Sequence, residues 1–270
     1  MFQPEHLSPS AISLYLACAR AYRYRYVDKL RTPTAANLLF GSAYHTLVES
    51  YIGARAAGMP TKPLPELWHE TWAAQCEREH EIAWGDSSSD EMIEQGEHML
   101  TSPIEVTTAG PTRKFQTVAA FLDTIVPWTF DGRHAIELKV QLNVPGVPVP
   151  TIGYIDCITS DGMPCDFKTA ARVWPADKAD NELQPGIYLA ALAQAGTLLS
   201  DTFRYCIFTK AKAPKVQVIT TKRTPTDTMW LYGLIQDVWR SIVAGAFPPN
   251  GSGSWKCTPE YCEHYAHCRN

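Results

Sequence analysis

A chain of 270 residues, 45% hydrophobic and 19% charged, can bury a sizeable core, which excludes an intrinsically disordered protein. The formal net charge of −4 excludes a protein that coats nucleic acid indiscriminately. No stretch approaches the roughly 18 uninterrupted apolar residues of a membrane helix, and the opening MFQPEHLSPS lacks a basic stretch followed by an apolar run. A soluble intracellular protein is expected, with its thiols reduced, so clusters among the eight cysteines point to metal rather than disulfides.

Ser8 before Pro9 offers an N-cap with proline at the first helical position, and predicts a helix through SPSAISLYLACARAYRYRYV. The stretch from Arg20 to Arg31 is basic: Arg20, Arg23, Arg25, Lys29 and Arg31 stand against Asp28 alone, with Tyr22, Tyr24 and Tyr26 interleaved. That pattern suits either a strip that tracks phosphates and stacks bases, or a solvated helix end whose tyrosines pack on the core. Further helices are predicted in FGSAYHTLVESYIGARAAG, PELWHETWAAQCEREHEIAW, SSDEMIEQGEHMLTS and RKFQTVAAFLDTIVPW, making residues 1–130 an N-terminal helical region. From about 131 the period drops to two in HAIELKVQL, TIGYIDCIT and PCDFKTA. A helix through NELQPGIYLAALAQAG, the strands FRYCIFTK and KVQVITTK, and a long helix over about 225–245 complete residues 131–247. This order predicts an α/β fold, a mixed β-sheet flanked by helices. Residues 248–270 read as the linker FPPNGSGSW and a cysteine cluster.

Metal-assisted cleavage of a phosphodiester requires carboxylates that converge on a hard cation such as Mg²⁺ or Mn²⁺. Asp156 in GYIDCI and Asp166 in CDFKT flank the turn SDGM. A three-residue loop over 160–162 sets them directly opposite each other, whereas a two-residue loop sends them to opposite faces. Lys168, two residues on, projects beside Asp166 and can stabilise charge developing on a phosphate. His45 follows Gly41 on a helix, with Glu49 one turn further, and Gln184 and Tyr188 share a helical face.

Taken in order, GxxxH, GYIDxI, DFKT and QxxxY resemble the RecB-type branch of the PD-(D/E)XK nucleases, which includes CRISPR-associated adaptation exonucleases and phage-borne relatives. The resemblance implies a restriction-endonuclease-like core. It implies metal ligation by His45, Asp156, Asp166 and the Phe167 carbonyl, with Lys168 as catalytic lysine and Gln184 and Tyr188 as orienting residues. Glu137, in AIELKV, falls where such proteins often carry an acid on the preceding strand.

Cys257, Cys262 and Cys268 are spaced C-x4-C-x5-C. Zinc could complete a tetrahedral site with His264 or His267, while an iron–sulfur cluster seeks a fourth cysteine. The resemblance implies that this fourth ligand is Cys18 and the group a [4Fe-4S] cluster tying the chain ends together, although the spacing departs from C-x2-C-x5-C. Cys76, Cys157, Cys165 and Cys206 read as buried apolar residues.

The expected function is a Mg²⁺- or Mn²⁺-dependent DNA exonuclease, cytoplasmic and bacterial or phage-encoded, acting on single strands or DNA ends in recombination, repair or phage DNA processing. The alternatives are a nuclease working with CRISPR-adaptation proteins, or a non-catalytic nucleic-acid-binding metalloprotein.

Overall fold

In the computed structural model, which describes residues 2–251, 254 and 256–269, the chain winds around one seven-stranded mixed sheet. Its strands are β1 (Ile104–Thr107), β2 (Arg113–Phe115), β3 (Ile136–Leu142), β4 (Thr151–Ile158), β5 (Pro164–Ala170), β6 (Thr202–Thr209) and β7 (Lys215–Lys222). They lie in the order β2-β1-β7-β6-β5-β4-β3. The β6–β5 and β7–β1 pairs are parallel and the rest antiparallel, as the predicted mixed sheet requires.

Before the sheet come α1 (Pro9–Ala17), α2 (Ala19–Tyr22), α3 (Ala36–Ala56), α4 (Leu64–Arg78) and α5 (Ser89–Thr101), and α6 (Val118–Leu122) follows β2. One core cluster joins α3–α6 to Cys157, Cys165, Phe167 and Phe208 of the sheet. The other face is covered by α8 (Leu183–Gln194) and α9 (Pro225–Val243), which bury Ile155, Tyr205 and Ile207. A short turn, α7 (Lys178–Asn181), precedes α8, and α10 (Tyr265–Arg269) ends the cysteine segment. Among the described residues no helix is long and apolar enough to cross a membrane.

Three sequence expectations need correction. Residues 104–115 are not helical: Ile104 and Val106 alternate inward with Glu105 and Thr107, and the resulting β1–β2 hairpin extends the sheet that the downstream strands form. The helix expected over RKFQTVAAFLDTIVPW shrinks to Val118–Leu122, because Arg113–Phe115 is strand and Thr117 caps the helix by accepting from Ala120 N.

The first helix begins as expected, with Ser8 accepting from Ala11 N, but breaks at Cys18, whose backbone is extended (φ −162, ψ 104). The returning C-terminal segment supplies the reason. Asn250 Nδ2 donates to Ala17 O at 2.7 Å and Arg20 N donates to Pro248 O at 3.1 Å, in place of helical partners. After α2 the chain makes a π-helical turn over Arg23–Val27.

The tyrosines do not form a base-stacking strip. Tyr22 and Tyr24 are buried, the first against Tyr15 and Phe247 and the second against His264 and His267. Their phenol faces are consumed by joining the N-terminal helices to the tail. Of the expected linker, residues 252, 253 and 255 lie outside the described residues.

Candidate active site

The β4–β5 hairpin uses the three-residue loop. Cys157 pairs with Cys165 and Ile158 with Pro164, Thr159 N donates to Met163 O at 3.0 Å, and Gly162 takes φ +79. Arg204 on β6 clamps the loop through Asp161 Oδ2 at 2.6 Å and Thr159 Oγ1 at 3.1 Å. Continuing this register sets Asp156 opposite Asp166 just where the strands part. Asp156 Oδ2 then accepts the Phe167 N–H at 2.7 Å.

On the other side of β4, Glu137 lies between the pairs Ile136–Cys157 and Leu138–Ile155 and so faces Asp156. Three acids thus stand abreast on β3, β4 and β5. Glu137 is left-handed at φ 49, a strained conformation for a residue with a side chain. It marks a switch of layers: Ile136 packs with the α3 cluster, Leu138 with the α8–α9 cluster.

Helix α3 crosses above these strands with one stripe, Gly41, His45, Glu49 and Gly53, each one turn after the last. The outer glycines permit close approach: a Cβ at Gly41 would stand 3.4 Å from Thr169 Oγ1 on β5, and one at Gly53 3.9 Å from Ile136 Cδ1 on β3. The inner pair reaches the acids. His45 Nε2 lies 2.8 Å from Asp156 Oδ2 and 3.2 Å from Glu49 Oε1. One ligand atom from each of His45, Glu49, Glu137 and Asp156 lies within 4.8 Å of all the others.

Asp166 is not part of that compact group and is held from the α8 side. Lys168 Nζ donates to its Oδ1 at 2.8 Å, and Gln184 Nε2 donates to the same oxygen at 2.7 Å and to Tyr188 OH at 3.2 Å. The ring of Tyr188 packs against β4, where a Cβ on Gly153 would stand 2.4 Å from its Cε1. Gly153 is therefore the residue that lets α8 bring this pair close.

A profile of the PD-(D/E)XK nuclease superfamily matches residues 6–269, nearly the whole chain. The chain belongs to that superfamily. The nuclease is 27% identical over 210 residues to the Gene 69 protein of Mycobacterium phage L5, covering 69% of this chain and 70% of the phage protein. It shares its fold with the crystal structure of a Eubacterium rectale protein provisionally named as an exonuclease. That match has a TM-score of 0.54 at 13% identity and covers 98% of this chain and 89% of the other.

The nuclease centre carries more acid than its own bases can neutralise. Burial, then the neighbouring Glu137, then Asp156 and Asp166, push Glu49 up from 4.5 to about 10. Burial also lifts Asp166, to about 6; the ammonium of Lys168 pulls it down, but burial and Asp156 outweigh this. Burial disfavours the cations of His45 and Lys168, yet contacts with Asp156 and Asp166 leave both raised.

These observations test whether the residues fit a divalent cation. Glu49 Oε1 and Asp166 Oδ2 are buried with no aligned hydrogen-bond donor, although His45 and Lys168 lie close. Four crowded carboxylates beside one imidazole match the oxygen-rich shell of a hard cation. Glu49 and Glu137 add to the set expected from sequence; the i,i+4 step from His45 was the signal for the first, and the acid on the preceding strand for the second.

The cysteines expected at the chain ends do meet. Cys18, Cys257, Cys262 and Cys268 line one small cavity beside His264. Asn250 N donates to Cys18 Sγ at 3.4 Å and Arg269 Nη2 to Cys257 Sγ at 3.6 Å. Burial raises Cys262; a hydrogen bond with the His264 backbone opposes it, and the proximity of the other three thiols adds a smaller push in the same direction as burial. His264 is buried; its Nε2 lies 3.2 Å from Glu263 Oε1, and Nδ1 has no hydrogen-bond partner. Cys157, Cys165 and Cys206 are buried in the sheet, and Cys76 is partly covered.

Proposed function

We propose that the chain is a divalent-metal-dependent deoxyribonuclease that degrades single strands or DNA ends in phage DNA processing or recombination. The observation that carries this reading is the convergence of His45, Glu49, Glu137 and Asp156 beside the Asp166–Lys168 pair. When bound, a divalent cation would polarise the phosphodiester and favour deprotonation of water. His45, Asp156, Asp166 and the Phe167 carbonyl would hold it, with Glu49 and Glu137 as additional donors. An imidazole among carboxylates favours Mn²⁺ over Mg²⁺.

Lys168 supplies a fixed ammonium to charge developing on the phosphate. Gln184 holds Asp166 in its rotamer, and Tyr188 supports Gln184. The phage relative favours phage DNA metabolism, inside the cell, over a role with CRISPR-adaptation proteins. The exonuclease reading draws on the name given to the structural neighbour.

The cysteine cavity suits a [4Fe-4S] cluster better than zinc. Four cysteines line it, the ligand count that such a cluster requires. Backbone and arginine N–H groups directed at two of the sulfurs also suit a cluster.

The test is cleavage of end-labelled single- and double-stranded DNA with Mg²⁺, Mn²⁺ or EDTA by wild type and Lys168→Ala. Metal-dependent loss of label, reduced at least about 10²–10³-fold in the variant, is expected. Equal cutting by the variant, or none by intact wild type, would sink the assignment.

A further inference from the structure

Helix α3 covers only part of the sheet face around the acidic centre. Its contacts end at Asp156 on β4 and at Glu137 and Ile136 on β3. Beyond it, the same face of the antiparallel β3–β4 ribbon at the sheet edge carries exposed side chains. Lys139 pairs with Tyr154 and Gln141 with Ile152 in that ribbon, and Lys139, Gln141 and Tyr154 are exposed.

Alternation fixes their direction. Ile155 is buried in the α8–α9 cluster and Gly153 lies under the Tyr188 ring, so Tyr154 between them points from the opposite face, the one bearing α3. Tyr154 is 49% exposed. Among the described residues it stacks on no other ring, and Lys139 has no carboxylate within ion-pair distance. Tyr154 is two residues, about 6.6 Å of strand, from Asp156. The exposed rim of the acidic centre, Glu137, is two residues from Lys139 in the same way.

We propose that Tyr154 and Lys139 form a substrate subsite, in which Tyr154 stacks an unpaired base next to the scissile phosphodiester and Lys139 contacts a phosphate of the same strand. This rests on the nucleic-acid reading of the acidic centre and names its substrate class. A phenol ring open on one face accepts any base that has left its duplex partner, whereas a paired base presents only its edge. The subsite therefore selects single strands or frayed ends without reading sequence. Lysine on an edge strand also discourages edge-to-edge pairing, but that role requires no aromatic partner across the ladder.

The experiment is fluorescence anisotropy of a labelled oligothymidine and of a blunt duplex in EDTA, at several salt concentrations, with wild type, Tyr154→Ala, Tyr154→Phe and Lys139→Gln. Thermal melting checks that each variant is folded. Tyr154→Ala should weaken single-strand binding about tenfold or more, Tyr154→Phe should bind as wild type does, and duplex binding should change little. Lys139→Gln should lower the slope of log affinity against log salt by about 0.7, one single-strand phosphate. Wild-type affinity in Tyr154→Ala, equal losses in the alanine and phenylalanine variants, or no DNA binding by wild type each overturn the subsite. Cleavage is scored separately with Mn²⁺: if wild type binds as described and does not cut, the nuclease reading fails and the subsite stands.

Discussion

The acidic centre and the cysteine cavity gather ligand groups by opposite means. In the first, three neighbouring strands and one helix stripe hold hard oxygen donors in a fixed register, and His45, Glu49, Glu137 and Asp156 converge without help from the chain ends. In the second, soft sulfur donors meet because residues 248–251 replace helical hydrogen bonds around Cys18, from more than 200 positions away. The acidic centre is built into the sheet; the cysteine cavity is a consequence of closing the chain. A perturbation of one should therefore leave the other's geometry intact.

The largest separation is expected at Gln184. Its amide donates to Asp166 and touches neither the compact acidic group nor the cysteines. Gln184→Ala should lower kcat about 10–100-fold with little change in KM, by releasing Asp166 and Lys168 from their shared geometry. Steady-state kinetics checks this, together with iron analysis, which should match wild type. A pure rise in KM would show that Gln184 binds substrate instead.

A smaller effect runs the other way. Cys262→Ser should lower iron and sulfide content and reduce Tm by at least about 5 °C, since the cavity joins the N-terminal helices to the tail. The increase in Tm on adding Mn²⁺ should survive, because the acidic centre does not depend on the tail. Loss of both responses would mean that the regions fold as one unit, and the comparison would break.

What could be read from sequence follows the same division. Asp156, Asp166 and Lys168 were legible because strand alternation and a glycine-containing loop are local properties, and so was the helical step joining Gln184 to Tyr188. Glu49 and Glu137 were visible but ambiguous, since no local pattern shows that the two acids meet until α3 is laid across β3. The strand β1 was missed because it is four residues long and its parallel partner β7 begins at Lys215, a pairing no local pattern reports. The break at Cys18 and the burial of Tyr22 and Tyr24 were likewise decided by the tail. Their alternation with arginine is as compatible with a DNA-facing strip as with the packed junction found.

The smallest effect is the most direct probe of electrostatic crowding in the acidic centre. Glu49, ordinarily at 4.5 and pushed up to about 10 in the fold, and Asp166, ordinarily at 3.8 and pushed up to about 6, hold protons more tightly folded than unfolded. A raised folded pKa gives stability that is complete below the unfolded value and declines as pH rises through the folded one. The metal-free protein should therefore lose stability between pH 4 and 6 through Asp166, and go on losing it toward about pH 10 through Glu49. A cation held by these groups competes with their protons, so Mn²⁺ should raise Tm more at high pH than at low pH and flatten the decline. Melting curves from pH 5 to 9 with EDTA or Mn²⁺ measure both slopes, and Glu49→Gln should flatten the EDTA curve by itself. If the two curves are parallel, the crowding is relieved by something other than a cation, and the acidic cluster is not the metal site; if they converge at low pH, the cation binds where Glu49 and Asp166 hold their protons.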